Sequence, residues 1–162
     1  MTARARLLCA IGLSVWSTTT VAGQARATGA LTQELRRHVL DDRFDVISSL
    51  NGLPAGVRAE LRTLFNSKTL DIHDAGTRSR ANVPAAGAES RTLVAAGCSR
   101  DDCLLYYELA GSTRRWRVVL IHWTPEVTTL EWGGAAPSNL STIDEVRGAL
   151  LSGRIKGSAG PW

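Results

Sequence analysis

The chain has 162 residues, 44% of them apolar, with 19 basic residues, 15 acidic ones and a formal charge of +4. That length holds one domain with a sizeable core. The basic excess is small, and two leading arginines account for half of it, so charge makes no case for a nucleic-acid partner.

Residues 1–25 read as a secretory signal peptide. Arg4 and Arg6 form its positive start, and Leu7 to Trp16 form a short apolar run. The small, polar stretch STTTVAGQARA follows, placing small residues for cleavage after Ala25. A membrane helix needs about 20 apolar residues, and neither this run nor any later one is that long. The expectation is a soluble periplasmic or secreted protein without stable membrane insertion, in which residues 26–162 make a single domain. Cleavage also removes Cys9, Arg4 and Arg6, leaving 17 basic against 15 acidic residues.

The domain reads as α+β: N-terminal helices, a four- to five-stranded antiparallel meander, and a C-terminal helix packed on one face. Leu31, Leu35 and Val39 recur at helical spacing, and Phe44, Ile47 and Leu50 make a second short apolar stripe. Pro54 stands where a helix begins, and Val57, Leu61, Leu64 and Phe65 give that helix one apolar side. A short strand is expected over 69–72. Residues 75–90 are small and polar and read as a flexible loop.

Four strands follow, over 91–96, 103–110, 115–123 and 128–133, separated by turn-forming residues. The run WRVVLIHW, 116–123, is apolar on both faces and reads as a central strand. Thr142 and Glu145 make a capping box ahead of Ile143, Val146, Leu150 and Leu151, and Gly153 supplies the stop. Residues 157–162 read as a frayed tail.

Two cysteines remain after cleavage, Cys98 and Cys103. An even pair in an oxidising compartment reads as a disulfide, and a four-residue turn between two strands brings these positions opposite each other. A metal would need further ligands. No second Cys/His pair exists, and Asp71 with His73 in the DIHD run supplies only two, so no metal and no cofactor are expected.

The candidates for chemistry are few. His122 and Glu131 fall opposite each other if the hairpin between them closes with a four-residue loop, and such a pair on a half-buried sheet could act as an acid–base couple. Glu108 and Arg117 are expected to pair across the preceding hairpin. Trp116, Trp123 and Trp132, with Tyr106 and Tyr107, suggest an aromatic binding face, rimmed by Arg114 and Arg115. The nucleophile, zinc-protease and phosphate-loop motifs are absent from the sequence.

The segments GCS, DDC and YYE, then WTP, EWGG and TIDEVR with LSG, lie between Gly97 and Gly153, in the second half of the chain. In these the chain resembles small exported bacterial proteins without an assigned activity. That resemblance implies no catalytic residue. The functional expectation is a non-enzymatic binding module, inhibitor-, immunity- or envelope-accessory-like, with a protein or glycan partner in the cell envelope. The alternative is a small periplasmic hydrolase of envelope or glycan material, working through His122 and Glu131.

Overall fold

A six-stranded antiparallel sheet runs through the molecule in plain chain order. The computed structural model describes residues 29–74, 89–158, 160 and 162. The expected signal peptide, residues 1–25, and nearly all of the expected loop over 75–90 lie outside those residues. The fold is α+β, with strands β1 (Asp45–Val46), β2 (Ser90–Cys98), β3 (Asp102–Ala110), β4 (Arg115–Trp123), β5 (Thr128–Ala136) and β6 (Lys156–Gly157). Among the described residues the α-helices are α1 (Gln33–Asp41), α2 (Ala55–Leu64) and α3 (Ile143–Leu151).

The sheet has six strands rather than four to five. The additional ones, β1 and β6, are two residues each, too short for any alternation of side chains to announce them. The expected strand over 69–72 is instead a single parallel bridge between His73 and Thr92. Phe44, Ile47 and Leu50 do not form a helical stripe either. Phe44 joins one core cluster while Ile47 and Leu50 join the other, because the chain crosses the sheet edge as β1 between them.

Alternation along the central strands sorts the core into those two clusters. Leu104, Tyr106, Val118, Leu120 and Trp132 pack with Val39 of α1 and Ile143, Val146, Ala149 and Leu150 of α3. Cys103, Leu105, Tyr107, Val119 and Ile121 pack with Val57 and Leu61 of α2, and with Phe65 and Ile72. Strand β3 is therefore buried from Asp102 through Leu109, as a strand covered on both faces must be.

Helices α1 and α3 hold each other's ends. The Arg147 guanidinium of α3 donates to the carbonyls of Val39 (2.9 Å), Leu40 (3.1 Å) and Asp42 (2.9 Å), which would otherwise be orphaned at the end of α1. Arg36 of α1 reciprocates by donating to the Leu151 carbonyl at the end of α3. The capping box is present: the Glu145 amide donates to Thr142 Oγ1 and the Thr142 amide to Glu145 Oε2. Gly153 takes the left-handed conformation (φ 75°) that stops α3.

The tail expected to fray is tied down where it is described. Gly157 pairs with Gly134, and the Trp162 indole lies over Gly133, where a Cβ would collide with it. Arg91 Nε donates to the main-chain oxygen of Trp162 at 3.0 Å.

Candidate functional site

The end of the sheet beside the β2–β3 hairpin gathers the chemistry. Cys98 and Cys103 are cross-strand partners joined by a disulfide, with Cα atoms 4.1 Å apart. That link pins the hairpin and the start of β3, and Asp102 is the residue next to it. Across the next strand pair, Asp102 is the partner of His122. Their side chains meet, with His122 Nδ1 3.4 Å from Asp102 Oδ1.

Above this pair lies the C-terminal end of α1. Thr32 caps the helix start by accepting from the Leu35 amide at 3.2 Å. His38 in the last turn and Asp42 at the C-cap face each other across one turn, Nδ1 to Oδ2 at 3.3 Å. His38 Nδ1 also stands 4.0 Å from the second oxygen of Asp102. Asp102 thus has one oxygen toward His122 and the other toward His38.

Thr32, His38, Asp102 and His122 line a cleft of about 360 Å³, together with Glu34, Leu35, Asp101 and Glu131, and Asp42 adjoins it through His38. Among the described residues, no lysine or arginine lines it. The Asp102 side chain is only 4% exposed. Burial pushes its carboxyl above the usual range, opposed by the attraction of His122 and then of His38. A buried carboxylate with two imidazoles, among further carboxylates, makes a pocket suited to a cationic group.

The sequence expectation for His122 and Glu131 needs correcting in its geometry. His122 pairs with Thr129, not Glu131. The register shifts between Leu120–Trp132 and Ile121–Leu130, so Glu131 is the extra residue of a β-bulge. The bulge still leaves Glu131 in the same cleft as His122, where its Oε1 accepts from the Thr129 hydroxyl at 3.0 Å. The close carboxylate of His122 is Asp102, a residue whose sequence context, Ser-Arg-Asp-Asp, signals only a turn.

Glu108 and Arg117 do not pair. Glu108 opposes Trp116 and Arg117 opposes Tyr107, one residue off the expected register, which puts them on opposite faces. Glu108 meets Arg114 at 3.4 Å, and Arg117 reaches the Ser158 hydroxyl at 3.0 Å. Arg115 pairs with Glu89, so both rim arginines are engaged with carboxylates.

The expected aromatic binding face does not form. Tyr106, Tyr107 and Trp132 are buried in the core, the two tyrosines on opposite faces of the sheet. The Tyr106 hydroxyl donates to the Pro137 carbonyl at 2.6 Å, and burial raises its pKa to about 12. Trp132 Nε1 donates to the Gly29 carbonyl at 2.8 Å. Trp116 and Trp123 are half-buried, packed against different clusters. Tryptophan content signals a surface only when the rings are free of the core, and here the strands are covered on both faces.

The DIHD run is structural in its contacts. Asp71 pairs with Arg91 at 2.7 Å, His73 bridges to β2, and Asp74 Oδ1 accepts from the Leu50 amide at 2.6 Å, capping a short 3-10 turn.

Compared with known proteins, the chain matches no family model, no curated protein sequence and no solved structure. The site therefore stands on its own chemistry.

Proposed function

We propose that this chain is an exported, non-enzymatic binding module and that the acidic cleft beside the disulfide-pinned hairpin is its binding site. One observation carries the reading: the cleft collects Glu34, Asp101, Asp102 and Glu131 around His38 and His122, with no lysine or arginine among its described lining residues. Such a site favours a cationic ligand group, and the leader-like residues 1–25 support an encounter in the periplasm or outside the cell. A protein partner with basic groups fits better than a glycan, because sugar stacking needs exposed aromatic rings and Tyr106, Tyr107 and Trp132 are buried.

The test is capture of a partner from an envelope extract by the immobilised protein and by a rim variant, Glu34→Gln with Asp101→Asn and Glu131→Gln. The expected result is a salt-sensitive partner whose retention falls at least tenfold in the variant. Equal retention by both proteins overturns the assignment of the cleft.

One observation favours a second reading, a small hydrolase of envelope or glycan material. A carboxylate that orients an imidazole is the arrangement of a general base, and Asp102 stands behind His122 in this way. In that reading the working couple is His122 with Asp102, and Glu131 lines the same cleft. Release of soluble fragments from cell-wall material, abolished by His122→Ala, would decide for it. No release by the parent protein decides against.

A further inference from the structure

His38, Asp42 and Asp102 each offer one ligand atom, and the three atoms all lie within 4.8 Å of one another. Zinc holds nitrogen and oxygen ligands at roughly 2.0–2.1 Å in a tetrahedron, which sets their mutual separation at about 3.4 Å. His38 Nδ1 and Asp42 Oδ2, at 3.3 Å, already meet that spacing. Asp102 Oδ2 stands 4.0 Å from the same nitrogen. The movable members can close the remainder: the His38 side chain is 48% exposed and that of Asp42 34%, at the open end of α1.

Asp102 is the fixed member. It is buried, it sits next to the disulfide, and its outer oxygen is held by His122 Nδ1 at 3.4 Å. A ligating carboxylate oriented by a neighbouring hydrogen-bonding group is the usual construction around a bound metal. The carboxylate is desolvated, and no described lysine or arginine stands beside it in the cleft, so a cation at Oδ2 meets a charge that water no longer screens.

We propose that this cluster is a site for a divalent transition-metal ion of the zinc class, held by His38, Asp42 and Asp102, with His122 orienting Asp102 from the outer side. The inference rests on the reading of the cleft as the binding site and names the cation it takes. An imidazole ligand suits zinc and its neighbours better than magnesium or calcium, which favour all-oxygen sites. Three protein ligands leave a fourth position open to the cleft, for water or a donor atom of the partner. The rim carboxylates Glu34 and Glu131, with Asp101 beside the exposed Arg100 at 4.0 Å, are the groups offered to the partner's own basic groups.

The experiment is calorimetric titration of chelator-treated protein with zinc chloride, repeated with magnesium and calcium chlorides. The expected result is one zinc per chain at micromolar affinity or tighter, with binding at least tenfold weaker in His38→Ala and in Asp42→Ala. Both side chains are exposed enough for the fold to survive their loss, which circular dichroism checks. His73→Ala, which removes the histidine outside the cleft, leaves zinc affinity unchanged. Absence of saturable zinc binding, full affinity in both variants, or calcium binding as tightly as zinc overturns the proposal. If zinc fails to bind while the rim variant still loses its partner, the metal site falls and the cleft reading stands. If zinc binds as expected while the rim variant keeps its partner, the metal site stands and the partner reading falls.

Discussion

His122 Nδ1 lies 3.4 Å from Oδ1 of Asp102, its cross-strand partner, and that carboxylate is 4% exposed. The pair is therefore a test of what burial costs. Desolvation raises the Asp102 pKa in the folded state more than the two histidines lower it. The folded protein then binds the Asp102 proton more tightly than the unfolded chain does. Stability falls as pH rises from the ordinary carboxylate range through the raised folded value, and the full cost is present above that value. Asp102→Asn removes that ionisation. The expected outcome in urea unfolding is a variant at least as stable as the parent at pH 7, losing that relative advantage as pH falls toward 4. A variant destabilised by more than about 2 kcal/mol at pH 7 would show instead that the ion pair stabilises the fold.

The Arg147 guanidinium positions the helix end that carries His38 and Asp42. It donates to three carbonyls there and packs over the Phe44 ring at 5.2 Å. Arg147→Met keeps the aliphatic stem but removes the charge and every donor. Hydrogen bonds from a charged group, at a helix C-terminus that favours a cation, put the expected loss at about 2–3 kcal/mol in urea unfolding. Zinc affinity should fall with it, because two of the three proposed ligands lie in the segment that Arg147 holds. Unchanged stability would mean that packing of Val39 and Phe44 alone seats α1.

The Cys98–Cys103 disulfide closes a loop with a sequence separation of five. Its effect on the unfolded chain is accordingly at the low end, about 2 kcal/mol. Cys98→Ala with Cys103→Ala should lower stability by that amount, and slightly more where the buried Cys103 leaves space in its cluster. A reducing agent should reproduce the loss in the parent and have no effect on the variant. A parent insensitive to reductant in both unfolding midpoint and cleft binding would show that the strand register alone holds Asp102 in place.

The residues legible in the sequence share one property: local chemistry determines them. Thr142 and Glu145 cap α3, Gly153 stops it, and Cys98 with Cys103 closes the hairpin, each within a few residues of chain. The four long strands are legible from their alternation and turns. The site is not, because it depends on register and on contacts far apart in sequence. A bulge at Glu131 and a one-residue difference in the β3–β4 register put Thr129 opposite His122 and Trp116 opposite Glu108. His38 and Asp42 carry one readable signal, a His-x-x-x-Asp spacing at the end of a predicted helix. Nothing local says that Asp102 stands beneath them. The aromatic residues mislead for the same reason, since composition does not tell which face a helix will cover.

Two glycines should respond to the same substitution in opposite directions. Gly133 lies beneath the Trp162 indole, and a Cβ there would collide with the ring. Gly133→Ala should displace the tail, release the main-chain oxygen that Arg91 holds, and cost about 1–2 kcal/mol in stability. Carboxypeptidase should then trim the variant back toward β6 faster than the parent. Gly148 sits on the exposed side of α3, and nothing lies within 4 Å of the place an alanine methyl would take, so Gly148→Ala meets only the helix propensity difference. That change should raise stability by roughly 0.5–1 kcal/mol and leave trimming of the tail unaffected. If Gly133→Ala neither destabilises the fold nor speeds trimming, Trp162 is not packed where the glycine leaves room for it.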